Sequence, residues 1–492
     1  MKISACIIAK DEERYIEKCL KSLYYLVEKE FGEIIFVDTG SKDKTVKIAR
    51  NYTDNIFFYQ WNNDFAAARN FSITKAKGEY VLIIDADEEI EENSLKKIVE
   101  VFNGDYYKKF NTFTFKEKNF SDESLKNFGV FTRRFIFKNS KDFFYTGKIH
   151  EQPSIMEPHM DLDVTVLHYG YIMDEETKEK KFKRNSEILE MELQDHPENL
   201  YYRYQLSVTY EMHGELEKAL EQIKIVVSTI NNLKYNKLFL LYYNTAARIY
   251  KSLKLYDEAI ELCNKGLKHQ EDFIDLIYCL AEIFYTEKNY EKALQYSNEY
   301  IKLLNELEKH QIFHDTRFLF YSLDCKKKIQ SITAVSSYKL KKKDILYMIE
   351  NCEFETVDKT TAQYIIDDLV YFVENINLNE INISNIYILK KAIEFIFQRT
   401  LNSNQIECLD TSKYLEIIDK YLCLGNFMLE RNLSLVKEEK SFFIEMKKVF
   451  DALQKFDLLT MVKLIKTAVE LNNNMARPME IYLKKILEVM GK

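Results

Sequence analysis

Short β-branched runs alternating with amphipathic stretches open this chain. Ile3 to Ile8 reads as a strand, followed by a polar turn at Lys10-Asp11-Glu12-Glu13. Ile16, Leu20, Leu23 and Leu26 then recur at helical spacing. Gly32 resets the chain, and Ile34 to Val37 predicts a second strand that ends in Asp38. The turn from Asp38 to Thr45 opens a helix reaching Asn51, and a third strand runs from Ile56 to Tyr59. Asp64 is expected to cap a helix over Phe65 to Lys77, with Gly78 at the C′ position that ends it. Tyr80 to Ile84 is an unbroken apolar run, the pattern of a strand buried on both faces. Strand and helix alternate at the spacing of βαβ units. That predicts a mostly parallel sheet with right-handed crossovers.

After Phe110 the pattern changes to alternation. Phe113 and Phe115, then Phe131, Phe135 and Phe137, then Leu162, Val164 and Val166 predict antiparallel strands added to the sheet's edge. From Leu200 onward helix pairs repeat. An aromatic near the end of each first helix precedes an alanine in the second: Tyr210 with Ala219, Tyr250 with Ala259, Phe284 with Ala293. The last two alanines stand 34 residues apart, the tetratricopeptide period, and the first two 40 apart, which implies a short insertion. The first helix of each pair is expected to form the inner surface of a curved array, with Glu211 and Lys251 exposed on it. The predicted organisation is an α/β domain over residues 1–172, a linking helix over 173–198, repeats over 199–304 and further helical or capping repeats over 305–492.

Glycine and proline support the division. Seven of eleven glycines and three of four prolines precede residue 198, so a turn-rich part is followed by a nearly turn-free one. A net charge of −8 and a pI near 5.7 argue against a nucleic-acid partner. No apolar run approaches a membrane span. Eight cysteines without ligand spacing read as free thiols of a reducing compartment, and a cytoplasmic protein is expected.

The chemistry concentrates at the end of the fourth strand, in Asp85-Ala86-Asp87. Carboxylates at the C-terminal edge of a parallel strand lie where open α/β sheets bind ligands, and they are hard ligands for a divalent cation. Glu88, Glu89, Glu91 and Glu92 read instead as acids opening the next helix. Asp43 and Thr45 read as turn and cap residues. Arg69 reads either as a phosphate partner or as a surface arginine pairing Asp64 or Glu79. Arg133 and Arg134 alternate across a strand, so that one of them faces the site.

The order Ile-Ala-Lys-Asp-Glu-Glu, then Val-Asp-Thr-Gly-Ser-x-Asp-x-Thr, then Asp-Ala-Asp resembles the family 2 glycosyltransferases of GT-A fold over residues 2–170. The resemblance implies that Asp38 holds the nucleotide base, that Lys10 and Arg69 also belong to the donor side, and that Asp85 faces the nucleotide. It further implies that Asp87 binds a divalent metal, Mg2+ or Mn2+. Within Gly147-Lys148-Ile149-His150-Glu151 it implies Glu151 as catalytic base, with His150 beside it. Within Val166-Leu167-His168-Tyr169-Gly170-Tyr171 it implies His168 as a second metal ligand. The bland alternatives are a turn histidine at 150 and a buried structural histidine at 168. The repeats and the paired motifs make the chain similar to peptide S-glycosyltransferases of the sublancin type.

The function expected is therefore inverting transfer of a sugar from a nucleoside diphosphate, with uridine diphosphate (UDP) the expected carrier. The acceptor expected is a cysteine, serine or threonine of a peptide or protein, such as a bacteriocin precursor. A homodimer through the helical domain is part of the same expectation. Two alternatives stand beside it: a transferase acting on a cell-surface glycan, and a repeat scaffold with an inactive transferase-like domain.

Overall fold

The computed structural model describes residues 1–310, apart from 121, 124, 126, 127, 155, 156 and 232, then residues 323–343 and scattered positions between 347 and 448. The chain divides into two compact units, residues 1–329 and 330–492. The first opens with β1 (Ile3–Ala9), α1 (Ile16–Glu28), β2 (Gly32–Asp38), α2 (Thr45–Ala49), β3 (Ile56–Phe58), α3 (Phe65–Ile73) and β4 (Tyr80–Ile83). Then come β5 (Glu88–Ile90), α4 (Glu92–Asn103), β6 (Thr112–Phe120), β7 (Phe128–Lys138), β8 (Tyr145–Thr146), β9 (Gln152–Pro153) and β10 (His159–His168).

The main sheet has the order β3-β2-β1-β4-β7-β6-β10-β5. The first four of these strands are parallel, as the βαβ rhythm predicts. The central strand β1 buries both faces: Ile3, Ala5 and Ile7 join the core beneath α1, while Cys6 joins Val37, Val81 and Ala66 on the other side. Helix α1 buries Ile16, Cys19, Leu20, Leu23 and Leu26. Full burial of side chains of this size contributes about 1.5–3 kcal/mol each.

Three local expectations are corrected. Helix α3 ends at Ile73, well before Gly78. Gly78 is instead a close-approach residue, since a Cβ there would stand 2.6 Å from the Ser4 amide nitrogen of β1. The acids after Asp87 do not all open a helix. Glu88 to Ile90 form β5, antiparallel to β10, and only Glu92 lies in the first turn of α4. The added strands are not uniformly antiparallel either. β7 pairs antiparallel with β4 and β6, but β10 runs parallel to β6, because a connection of some 38 residues gives the chain room to cross back.

Helix α5 (Glu175–Asp195) leads into the pairs α6 (Leu200–His213) with α7 (Leu216–Ile230), α8 (Leu238–Ser252) with α9 (Tyr256–His269), and α10 (Ile274–Thr286) with α11 (Tyr290–His310). Ala219, Ala259 and Ala293 are each fully buried, as small residues at a close helix–helix contact must be. Glu211 and Lys251 are not the free surface positions expected. Glu211 pairs with Arg248 at 2.7 Å, and Lys251 pairs with the buried Glu282. In the second unit the described residues include helical Ile386, Leu389, Ile393 and Ile396, all buried at helical spacing. Leu323–Lys339 forms a further helix, and most of the remaining region expected to hold capping repeats lies outside the described residues.

Candidate active site

The strand ends, the segment from Ile149 to Glu151 and one face of α5 line a cavity of about 690 Å³. Lys10, Arg69, Asp85, Asp87, His150, Glu151 and His168 all line it, so the structure brings together seven of the eight residues singled out from sequence. Asp38 lies beside it, behind Thr39. Its buried carboxylate accepts the amide hydrogens of Gly40 at 3.0 Å and Ser41 at 3.2 Å, which fixes the turn after β2.

Arg69 ties the site together. It sits in the second turn of α3, a helix whose N-terminus is capped by Asp64, which accepts from the Ala67 amide at 2.8 Å. The Arg69 guanidinium donates to Asp85 Oδ1 at 2.6 Å and through Nε to Glu151. Neither Asp64 nor Glu79 is its partner. Arg133 reaches Asp85 Oδ2 at 3.3 Å and Glu117 at 2.9 Å and also pairs with Glu88, so it is the member of the Arg133–Arg134 pair that faces these acids. Burial disfavours the charged form of Asp85, but the two guanidiniums outweigh it and hold the carboxyl well below its ordinary range. Burial pushes the neighbouring Glu88 the other way, up to about 8.

Asp87 and His168 meet on the opposite wall. His168 Nε2 lies 3.7 Å from Asp87 Oδ1, and Nδ1 donates to the side-chain oxygen of Asn119. A ring nitrogen fixed by an outer partner is the usual arrangement of a metal-ligating histidine. Burial opposes charge on the ring, yet Asp87, Glu88 and Glu117 raise its pKa to about 9. Gly170 makes the contact possible, because a Cβ at that position would stand 2.4 Å from both Asp87 Oδ2 and His168 Nε2. Oxygen and imidazole donors at this separation fit a hard divalent cation. Glu88, Glu117 and His168 also offer atoms within 4.8 Å of one another. Arg133 pairs with both of those carboxylates, as Lys181 approaches Asp87.

His150 holds a left-handed backbone, with φ of 49°, and its buried Nε2 has no hydrogen-bond partner. Burial keeps its pKa below the ordinary value. The segment carrying it is pinned at Lys148, through both main chain and side chain. The Lys148 carbonyl accepts the Phe65 amide at 2.8 Å, and Lys148 Nζ pairs with Glu192 of α5 at 2.5 Å.

Sequence reasoning missed the contribution of α5. Thr177, Lys180, Lys181 and Arg184 line the cavity at helical spacing, opposite the aspartates. Lys181 Nζ lies 3.9 Å from Asp87 Oδ2, and the Arg184 guanidinium packs 5.1 Å from the centre of the Phe65 ring. The available signal was this basic face within a segment read only as a linker. Glu12, facing them from the β1–α1 turn, has its pKa raised by burial and by Asp87 to about 7.

A parallel sheet ending on an aspartate pair, with added strands carrying the further acids and a histidine, is the architecture of a GT-A-like domain. Residues 4–156 match the model of Glycosyl transferase family 2, so the N-terminal part of the chain carries a domain of that family. The SPbeta prophage-derived glycosyltransferase SunS of Bacillus subtilis is 30% identical over 238 residues, covering 47% of this chain and 54% of its own. A TPR repeat-containing protein of Synechococcus elongatus is 29% identical over 233 residues, covering 45% and 55%. The chain thus spans about half the length of the curated relatives it matches. A solved structure of S. aureus TarS 1-349 in complex with UDP-GlcNAc is 17% identical and covers 54% of this chain and 92% of its own, with a TM-score of 0.32. That superposition is too loose to transfer any residue.

Proposed function

We propose that the protein is a metal-dependent, inverting glycosyltransferase that moves a sugar from a UDP-sugar to a peptide or protein. One observation carries this reading: a single guanidinium, Arg69, holds both the donor-side carboxylate Asp85 and the candidate base Glu151, in a cavity that Asp87 and His168 also line. Asp87 and His168 would hold Mg2+ or Mn2+, which when bound neutralises charge on the diphosphate. Lys181 and Arg184 lie across the cavity and supply further positive charge to the same group. Glu151 accepts the proton of the acceptor's thiol or hydroxyl. The sulfur or oxygen then bonds to the anomeric carbon, while the carbon–oxygen bond to the diphosphate breaks and its electron pair leaves on UDP. Direct displacement of this kind inverts the anomeric centre.

The repeats that follow the domain, and the resemblance to sublancin-type S-glycosyltransferases, support a peptide acceptor. The same reading takes the protein to act in the cytoplasm and to pair as a homodimer through its helices, which sedimentation velocity tests. Retention of both strand-end aspartates argues against an inactive scaffold. Calorimetry with UDP-glucose and UDP-GlcNAc, with and without chelator, tests the donor side. Binding that is lost with chelator and in Asp87→Ala is expected. Affinity indifferent to both would remove the metal from the reading.

A further inference from the structure

A second cavity, of about 610 Å³, adjoins the first and shares with it three residues, Arg69, Arg133 and Glu151. These side chains form a wall between two chambers. On the assumption that the first chamber holds the donor, the second is where a nucleophile gains access to Glu151 from a side the donor does not occupy. The geometry points to the second cavity as the acceptor subsite, selective for a peptide with an acidic side chain next to the residue that is glycosylated.

The lining carries the argument. Arg134, Thr114 and Asp161 lie side by side across β7, β6 and β10 in one register row and line the chamber. Arg134 Nε is buried there without a hydrogen-bond partner. Lys237, exposed just before α8, also lines it, so the repeat region contributes to the chamber. The acids facing these cations are accounted for: Glu151 is held by Arg69, Glu157 pairs with His159 at 2.9 Å, and Asp161 has a partner of its own. With Arg69 and Arg133 neutralised by their own acids, Arg134 and Lys237 against Asp161 leave the lining with an excess of positive charge. The segment bearing Glu151 is fastened to the first repeat helix, because Gln152 Nε2 donates to Tyr201 Oη at 3.0 Å. A neutral glycan would be recognised by stacking on an open aromatic face. Tyr145 is the aromatic residue lining this chamber, and the Arg69 guanidinium lies over its ring at 5.6 Å. Charge complementarity therefore favours an acidic peptide.

The test uses full-length protein, UDP-glucose and UDP-GlcNAc as donors, and labelled pentapeptides with a central cysteine or serine flanked by aspartates, alanines or lysines. Fluorescence anisotropy gives peptide affinity, and donor hydrolysis by water reports the first chamber independently. The aspartate-flanked peptide is expected to bind roughly tenfold tighter than the lysine-flanked one. Lys237→Glu should erase or reverse that order through peptide affinity and KM, with donor hydrolysis unchanged, and Arg134→Gln should reduce it. Equal binding of all three peptides, a preference that survives both substitutions, or efficient transfer to a neutral oligosaccharide in their place would overturn the subsite alone. Failure of the wild-type protein to bind or hydrolyse either donor would overturn the transferase reading and the subsite with it.

Discussion

At Gly170 the absence of one carbon lets two candidate metal ligands face each other. With a methyl group 2.4 Å from both Asp87 Oδ2 and His168 Nε2, the pair would have to separate. Gly170→Ala is therefore expected to weaken chelator-sensitive donor binding by about 10- to 100-fold, the scale on which disturbing the support of a metal ligand acts. Donor titrations read this directly, and unchanged affinity would mean that Asp87 and His168 need not meet. Glu151 makes a different demand, on chemistry rather than affinity. Glu151→Gln should keep donor affinity while transfer to serine falls about 10²-fold or more. A cysteine acceptor, partly ionised near neutrality, should suffer less. Full activity toward serine would remove Glu151 as base. At this scale the sequence was informative where a motif is local. Asp85 and Asp87, or His150 and Glu151, are neighbours in the chain and came into view together. Arg69 remained ambiguous because its partners lie 16 and 82 residues away, and no periodicity encodes such a contact.

Among the elements, α5 is the one whose role was least legible. A helix with charged residues on most of its surface reads as a solvated connector, and only packing against the sheet domain reveals that Lys181 faces Asp87 and that Arg184 lines the same cavity. Losing a hydrogen bond to a charged group typically costs about 1.5–3 kcal/mol. Lys181→Ala and Arg184→Ala should thus each weaken UDP affinity by roughly tenfold or more. The loss should shrink as salt is raised, because added ions screen the same attraction. Arg184→Ala should also lower the melting temperature slightly through lost packing on Phe65. UDP titrations at two ionic strengths decide it, and affinities equal to wild type would return α5 to the status of a linker. The β5 segment was misread for a related reason. Four acids after a strand look like a helix N-terminus, and only the pairing of Leu167 with Glu89 and of His168 with Glu88 makes the segment a strand.

Across the whole repeat array, cohesion comes from more than the small-residue contacts that reveal the period. Arg248 of α8 reaches back to Glu211 of α6, and Lys251 of the same helix reaches forward to Glu282 of α10, where Lys328 joins it. Positions that look like a solvated inner face are thus rivets between successive pairs, and charge reversal at Glu211 or Lys251 would test stability rather than docking. Glu282 offers the cleanest measurement. Burial disfavours its charge, but Lys251 and Lys328 outweigh burial and hold its carboxyl below the ordinary glutamate range. A depressed folded-state pKa means that the unfolded chain binds the proton more readily. The contribution of Glu282 is therefore fully present above about pH 4.5, the ordinary range for glutamate, and is lost as pH falls through the lower folded value. Glu282→Gln leaves two lysines without their acid and should destabilise the array by roughly 3 kcal/mol near neutrality, the cost of breaking a largely buried pair. As pH falls through that lower folded value the wild-type carboxyl itself becomes protonated, so the two proteins should converge in stability at the acid end. Urea unfolding at pH 7, 5, 4 and 2.5, followed by circular dichroism, measures the gap across the window in which the carboxyl loses its charge. A gap that stays constant over that range would show that the stability of the array does not depend on the charge of Glu282.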